Sequence, residues 1–263
     1  MEEISKHDIY SKNGKLLLAK GKKITENVMS ALDKFGDTGD TEIQQADSKI
    51  EQISNTINDK INPRYHNALE YPSELLKKII FESKDEPWWI FINLLANYVE
   101  WVYEHSIDVA LISAMIGMQL KYSPQDIWVI SLGSLLHDVG KLLIPKNIIQ
   151  KKGPLTDEEW RLVYRHCELG VLSLKPYGLK KETLQIILGH HERLDGSGYP
   201  AGLKGNDIHP FAQIVMVADV IDAITSYRPY KEIQSMEEAI KTLRDGKTQY
   251  PHEIVKIVGD MFL

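Results

Sequence analysis

From about residue 74 to the end of the chain, apolar residues recur with the spacing of an α-helix, and strand signals are nearly absent. The longest such segment is PWWIFINLLANYVEWVYEHSIDVALISAMIGMQL, whose Pro87 suits the first turn of a helix. We interpret it as one long helix. The pattern predicts an all-α helical bundle over residues 74–263.

Local signals mark the ends of further helices in this bundle. Ser123 and Pro124 open SPQDIWVISLGSLLHDVG, which is expected to close at Gly140. Thr156 and Glu159 have the spacing of a capping box at the start of TDEEWRLVYRHCELGVL. Two more apolar runs, KKETLQIILGHH and FAQIVMVADVIDAITSY, predict two further helices.

The chain before the bundle, residues 1–73, has a different character. Asn13-Gly14 is a hairpin signal between two short runs, and Thr25 can cap a short helix. Residues 37–73 are polar and poor in aromatic side chains, which predicts a linker with one weak helix. We therefore expect a small α+β N-terminal module and a linker over 1–73, followed by the main domain.

The composition excludes several classes of partner. The formal net charge of −6 argues against a nucleic-acid surface built on bulk positive charge. The opening MEEISKHDIY is too polar for a signal peptide, and no apolar run is long enough for a membrane span. The one cysteine, Cys167, predicts a reducing compartment. We expect a cytoplasmic protein that binds neither nucleic acid nor a membrane; a homodimer stays open.

Histidine and aspartate side chains recur along the predicted helices. Asp219 lies in the apolar run VMVADVIDAI, where an unpaired carboxylate would be costly to bury. The adjacent pairs His137-Asp138 and His190-His191 are more specific than a lone histidine, because neighbours on a helix project about 100° apart and can serve two ions. A two-metal hydrolytic centre bridged by Asp138 would use such residues. The candidate ligands are His105, His137, Asp138, His166, His190, His191 and Asp219.

The segment HHERLDGSGYP, residues 190–200, joins two of these histidines to a rigid turn. Gly196 and Gly198 allow backbone conformations that a side chain would forbid, and Pro200 sets the exit direction. Tyr199 is then presented at a defined place, for packing or for a hydrogen bond. From the residues alone, a wall of a substrate pocket and a plain rigid turn are equally open.

Four segments resemble the HD-GYP subgroup of the HD phosphohydrolase superfamily. They are HDVGK (137–141), IPKNIIQKKGPLTDEEW (144–160), HHERLDGSGYP (190–200) and DVIDAITSYRPYK (219–231). The segments occur in the family's order, and the resemblance covers about residues 98–235. It implies an HD-type helical bundle that hydrolyses the bacterial second messenger cyclic di-GMP to linear pGpG, GMP or both, by metal-activated water.

The same resemblance implies roles for individual residues. One metal is expected on His105, His137, Asp138 and Asp219, and the other on Asp138, His166, His190 and His191. The expected catalytic residues are Asp138 and Lys141, and the expected substrate contacts are Lys141, Tyr199, Arg228 and Lys231. Two divalent ions are expected, with iron favoured and manganese as the alternative. Asp222 is expected to support a ligand, and Cys167 to point away from the metals as a structural thiol.

Trp101 is a departure from the family pattern. Some members carry a glutamate four residues before the first ligand histidine, and it helps to hold a third metal. Trp101 occupies that position and cannot ligate, while Glu100 and Glu104 lie on other faces of the helix. We therefore expect two metals, and leave open whether one or both phosphodiester bonds are cut.

Other functions stay open beside this one. An HD-type hydrolase could act on another nucleotide, such as a mixed cyclic dinucleotide. A diiron oxygenase uses similar ligands, although the intact GSGYP and YRPYK weigh against it. A non-catalytic sensor of cyclic di-GMP would need no complete ligand set, so the seven candidates favour an enzyme.

Overall fold

The structure is a computed structural model that describes residues 9–10, 16–18, 39–228 and 232–263. Contacts between Cα atoms divide the chain into two compact units, Met1–Ala46 and Asp47–Leu263. In the described ranges, no helix is both long enough and apolar enough to cross a membrane.

The first unit contains two short strands, β1 (Ile9–Tyr10) and β2 (Leu16–Leu18). They pair antiparallel, with Ile9 opposite Leu18. The predicted turn at Asn13-Gly14 and the predicted helix after Thr25 lie outside the described residues. The α+β module therefore stays a prediction.

The rest of the described chain is helical, which confirms the all-α prediction for the bundle. Helices α1 to α12 are, in chain order, Gly39–Asn58, Glu70–Ser83, Trp89–Tyr98, Glu100–Gln119, Pro124–Leu136, Lys146–Ile149, Asp157–Tyr164, His166–Leu174, Lys181–Gly189, Pro210–Thr225, Met236–Asp245 and His252–Phe262. Short 3-10 turns span Pro63–Leu69, Val139–Leu143, Lys175–Tyr177 and Gly205–Asp207.

Helices α4 and α10 form the centre of the bundle. Fourteen residues of α4 and twelve of α10 are buried, because both helices are apolar around most of their circumference. They pack against each other, and α4 also packs along α5. Any polar side chain on these two helices must therefore find a partner inside the protein.

The long helix predicted from Pro87 is in fact two helices, and that prediction was wrong. Val99 separates α3 from α4 and has an extended backbone, with φ −146° and ψ 114°. The break changes the direction of the chain, so that Ile92 and Leu95 of α3 are also buried. Because neither glycine nor proline marks the break, tertiary packing rather than local sequence decides it.

Residues 47–73 belong to the second unit rather than to a loose linker. Helix α1 buries Ile50, Ile53 and Ile57 at helical spacing. Its Lys49 Nζ lies 2.6 Å from Glu104 Oε1 on α4. The boundary expected after residue 73 therefore lies inside a compact unit that begins at Asp47.

Candidate metal centre

The seven candidate ligands converge from five helices, mostly at helix ends. His105 is within α4, and Asp219 is within α10. The others flank helix termini: His137 and Asp138 after α5, His166 at the start of α8, and His190 and His191 after α9. His166 was predicted to lie midway along one helix, but that helix is interrupted at Arg165, between α7 and α8.

The turn after Asp138 comes very close to the start of α8, and a glycine makes this contact possible. A Cβ atom on Gly140 would lie 1.9 Å from the backbone oxygen of His166. The turn that follows Asp138 can therefore contact the start of α8 only because residue 140 has no side chain. Helix α5 itself ends at Leu136, four residues before the end expected at Gly140.

The first group of ligand atoms surrounds one oxygen of Asp138. His105 Nε2 lies 3.2 Å from His137 Nε2, and the two nitrogens lie 3.6 and 3.5 Å from Asp138 Oδ2. Asp219 Oδ1 lies 3.2 Å from His105 Nε2. Ligand atoms that share an ion at about 2.1 Å are separated by about 3.0–3.4 Å, so these spacings suit a common ion.

The second group lies on the other oxygen of Asp138. His166 Nε2 is 3.4 Å from Asp138 Oδ1 and 3.3 Å from His190 Nε2. His191 joins this group, with all four ligand atoms within 4.8 Å of one another. Its Nδ1 also lies 3.5 Å from Asp219 Oδ2. The two groups therefore meet at the Asp138 carboxylate.

Hydrogen bonds on the outer side of the imidazole rings orient their inner nitrogens. The Nδ1 atoms of His137, His166 and His190 donate to the backbone oxygens of Ser134, Val163 and Ile187, at 2.6, 2.7 and 3.0 Å. His105 Nδ1 donates to Asp222. Since a carbonyl oxygen can only accept, Nδ1 carries the proton and the Nε2 lone pair faces the cluster. Metal-binding histidines in proteins usually donate their outer ring N–H to a carbonyl or carboxylate oxygen in the same way.

An orphaned oxygen shows that the cluster fits a cation. Asp138 is fully buried, and among the described residues its Oδ1 accepts no hydrogen bond. An unpaired buried carboxylate oxygen is costly. Lys141 Nζ donates to Oδ2 of the same carboxylate at 2.5 Å, which leaves Oδ1 facing only imidazole nitrogens. A metal on each side of Asp138 would satisfy both oxygens.

The protonation states also suit metal binding. Burial lowers the pKa of His137, lowers that of His166 to about 4, and lowers those of His190 and His191 well below the usual value. Neutral imidazole is the form that binds a metal. Although burial favours its protonated form, the charge of Lys141 holds the pKa of Asp138 well below its usual range.

His105 is the exception among the histidines. Burial alone would lower its pKa, but the carboxylates of Asp222 and Asp219 outweigh burial and raise the pKa to about 8. A second, partly buried acid, Asp108, interacts with Asp222, and desolvation together with the Asp222 charge raises the pKa of Asp108 well above its usual value. A carboxylate network therefore supports His105 from outside the cluster.

The guanidinium of Arg228 lies beside this network. Arg228 Nη2 is 3.8 Å from Asp222 Oδ2, and the guanidinium carbon is 5.4 Å from the centroid of the Trp101 ring. Trp101 thus provides a cation–π surface in the position where some family members carry a glutamate. Lys231 lies outside the described residues.

The loop after His191 is held by a residue to which the sequence analysis assigned no role. The Glu192 carboxylate is buried, and it accepts hydrogen bonds from Ala201 N at 2.8 Å and Leu203 N at 3.0 Å. A Cβ on Gly198 would lie 2.4 Å from Glu192 Cα, so the loop folds tightly back on itself. Because the segment HHERLDGSGYP holds this glutamate beside its glycines, an anchoring role for Glu192 could have been inferred.

The ring of Tyr199 packs against two other rings. Its ring centroid lies 4.7 Å from that of His191 and 4.2 Å from that of Tyr164. The expectation for Cys167 was wrong, since its buried sulfur lies 3.5 Å from the cluster-facing Nε2 of His166. Cys167 is the second residue of α8, directly after the cap residue Arg165 and the ligand candidate His166.

Comparisons with known proteins agree with this geometry. The HD domain family model matches residues 90–254. A cyclic di-GMP phosphodiesterase of Pseudomonas aeruginosa is 32% identical over 220 residues, which is 81% of this chain and 50% of that protein. A 3′3′-cGAMP-specific phosphodiesterase of Vibrio cholerae is 37% identical over 147 residues, which is 54% of this chain and 31% of that protein. The chain thus spans half or less of the length of these relatives.

A solved structure shares the fold. The HDG"Y"P protein Bd1817 from Bdellovibrio bacteriovorus aligns with a TM-score of 0.56 at 19% identity, covering 98% of this chain and 95% of that one. At this identity the likeness concerns the fold alone. Together with the family model, it confirms the resemblance drawn from HDVGK and HHERLDGSGYP: the chain belongs to the HD domain family.

Proposed function

We propose that this chain is a metal-dependent phosphodiesterase that hydrolyses cyclic di-GMP to linear pGpG, GMP or both. The observation that carries the proposal is the Asp138 carboxylate, whose two oxygens face two separate groups of imidazole nitrogens. The named activity of the Pseudomonas aeruginosa relative supports the substrate. A cytoplasmic location is part of the proposal and agrees with the free buried thiol of Cys167.

The residues present would hold two divalent ions, which we propose to be iron or manganese. His105, His137, Asp138 and Asp219 would hold one ion, and Asp138, His166, His190 and His191 the other. When bound, such ions polarise a phosphoryl oxygen and lower the pKa of water enough to make a nucleophile near neutral pH.

The protein's own side chains position the substrate and balance charge. Lys141 neutralises part of the charge on Asp138 and lies close enough to the cluster to attract a phosphate. The guanidinium of Arg228 lies beside Asp222 and Trp101, and we propose that it makes a charge-assisted contact with a phosphate oxygen of the substrate. We propose that Lys231 adds a second phosphate contact, and that Tyr199 forms one wall of the pocket.

A second candidate substrate is a mixed cyclic dinucleotide. The Vibrio cholerae relative is named for 3′3′-cGAMP, and the candidate ligands would act on a phosphodiester, which cyclic di-GMP and a mixed cyclic dinucleotide share. A sensor that binds cyclic di-GMP without hydrolysing it has less support. Each Asp138 oxygen faces its own group of candidate ligands, which is the arrangement that a two-metal hydrolytic centre needs.

The deciding experiment is hydrolysis by purified, metal-loaded protein. Cyclic di-GMP, 3′3′-cGAMP and cyclic di-AMP are incubated separately, and the products are resolved by chromatography beside elemental analysis. We expect about two ions per chain, and loss of both ions and turnover in His137→Ala. His252→Ala, which removes an exposed histidine on α12, is the matched control. Two bound ions without turnover of any of these substrates would contradict the proposal.

A further inference from the structure

Helix α7 exposes two large aromatic rings on one face. Trp160 and Tyr164 are four residues apart, so they lie one above the other. Their side chains are 42% and 41% exposed, and the ring centroids are 5.5 Å apart with 32° between the planes. Two such rings contribute little to the core, which leaves their position unexplained by folding alone.

These rings continue a stack that begins in the metal cluster. Tyr199 lies between His191 and Tyr164, with interplanar angles of 31° and 35°. Trp160 follows Tyr164 with a similar tilt. Four rings therefore form a stepped series from a candidate metal ligand to solvent. We refer to the exposed pair, Trp160 and Tyr164, as the aromatic platform.

We propose that the aromatic platform binds a purine base of the cyclic dinucleotide substrate by stacking. This inference rests on the proposed function, because it requires a phosphodiester at the metal cluster. A nucleotide whose phosphate lies beside His191 carries its base within reach of the neighbouring rings. Tyr199 contacts His191 and Tyr164, whereas Tyr164 and Trp160 are 41% and 42% exposed, so the ring surface open to a base belongs to these two residues.

Stacking explains why the platform is aromatic rather than charged or hydrogen-bonding. Every purine has a π-face, and stacking on aromatic side chains tolerates differences between bases. The platform should therefore contribute affinity for guanine and adenine alike. It would bind the base, while Asp138 and its ligand partners act on the phosphate.

The first test separates binding from turnover in single variants. Tyr164→Leu and Trp160→Leu should raise KM for cyclic di-GMP by about five- to a hundredfold, with kcat and metal content little changed. Tyr164→Phe keeps the ring and should retain the KM of the unmodified protein. Phe81→Leu is the matched control, since Phe81 is an aromatic residue of α2 that is 61% exposed.

A second test reports stacking directly. A cyclic dinucleotide with 2-aminopurine in place of guanine loses fluorescence when its base stacks on a ring. Rapid mixing with metal-loaded protein should quench this probe, and Tyr164→Leu should reduce the quenching while Phe81→Leu should not. Quenching of equal size in Tyr164→Leu would overturn the proposal.

Failure of this inference is distinguishable from failure of the proposed function. If the unmodified, metal-loaded protein cleaves no cyclic dinucleotide, the proposed function fails. If it cleaves cyclic di-GMP but Tyr164→Leu keeps the same KM, only the platform fails. Sedimentation tests whether a second copy of the chain covers the platform instead. If the unmodified protein is a dimer that dissociates in Tyr164→Leu while KM is unchanged, the platform is a dimer contact and base stacking is overturned.

Discussion

At the scale of single residues, the outer hydrogen bond of each histidine determines which nitrogen faces the cluster. Three candidate ligands donate Nδ1–H to a backbone carbonyl, whereas His105 donates to the Asp222 carboxylate. A carboxylate partner makes the opposite nitrogen a more basic ligand than a carbonyl does. Asp222 should therefore influence metal affinity without touching a metal.

We expect Asp222→Asn to weaken metal binding about 10- to 100-fold while the fold persists. The amide oxygen can still accept a hydrogen bond from His105 Nδ1, but it carries no charge to polarise the ring. Metal affinity is measured by competition with a chelator, and folding by circular dichroism. Asp260→Asn removes an exposed carboxylate on α12 and serves as the control. Equal affinity in both variants would contradict this role.

The candidate ligands could be picked out from the sequence alone, whereas the surroundings of Arg228 could not. Paired motifs such as His137-Asp138 and His190-His191 are local, and the structure does bring their side chains together. The surroundings of Arg228 depend on a helix that is distant in the chain. The proximity of Arg228 to Trp101 could therefore not be read from spacing.

At the scale of elements, the loop after α9 is held by one buried carboxylate. Glu192 satisfies two backbone amides on the far side of the loop. The backbone N–H of Tyr199 also donates to His191 O at 3.1 Å, which ties the Tyr199 ring to the ligand pair. Loop, aromatic stack and metal cluster are thus mechanically connected.

We expect Glu192→Ala to destabilise the protein by about 2–5 kcal/mol, because two amides lose a charged acceptor. Glu192→Gln should cost less, since one oxygen remains. The free energy of unfolding is measured by urea denaturation, with Glu86→Gln as the exposed control. An unfolding free energy unchanged in Glu192→Ala would show that the loop holds its shape without this anchor.

Element types were easier to predict than element ends. The capping boxes and caps are local signals, and the predicted cap at Ser123 and box at Thr156 are confirmed. The breaks at Val99 and Arg165 carry no such signal. The break at Val99 follows from the need to pack two successive apolar helices, a requirement that involves the whole bundle. At Arg165, the exposed helix α7 gives way to α8, whose first residues His166 and Cys167 are buried.

At the scale of the whole molecule, the candidate ligands span the chain from His105 to Asp219. Ions held by both groups would cross-link five helices, and a ligand that binds only the folded state stabilises it. We expect chelation to lower the free energy of unfolding by about 2.7 kcal/mol for each bound ion whose free concentration was 100 times its Kd. The corresponding fall in Tm is about 5–10 °C per ion.

Calorimetry before and after chelation, and after metal is restored, measures this effect. Asp138→Ala is the control, because a protein that has lost the shared carboxylate should show no response to the chelator. A Tm that is identical with and without chelator in the unmodified protein would count against a metal centre built from these helices.

Acidification should destabilise the metal-free protein between about pH 6.5 and pH 4. The pKa of His166 is lowered to about 4 by burial, so the unfolded chain binds its proton first as the pH falls, and stability is lost through that window. His190 and His191 act in the same direction. His166 alone contributes about 3 kcal/mol at 1.36 kcal/mol per pKa unit.

His105 has the opposite effect on the pH dependence of stability, because its pKa is raised to about 8. Its contribution is complete below pH 6.5 and is lost as the pH rises through 8. Urea unfolding of chelated protein at pH 5, 7 and 9 should therefore give a maximum near pH 7. An unfolding free energy at pH 5 equal to that at pH 7 would contradict the buried, neutral state of these histidines.

By itself the sequence determined the helical class of the bundle, the caps and the identities of the candidate ligands. Those features depend on residues that are close in the chain, where periodicity and short motifs are visible. The tertiary structure decided that α1 packs on the bundle, that Asp138 divides its oxygens between two groups, and that Trp160 and Tyr164 extend the stack from His191. Each of these depends on contacts between distant segments, which are set by how apolar surfaces are buried together and not by any local pattern.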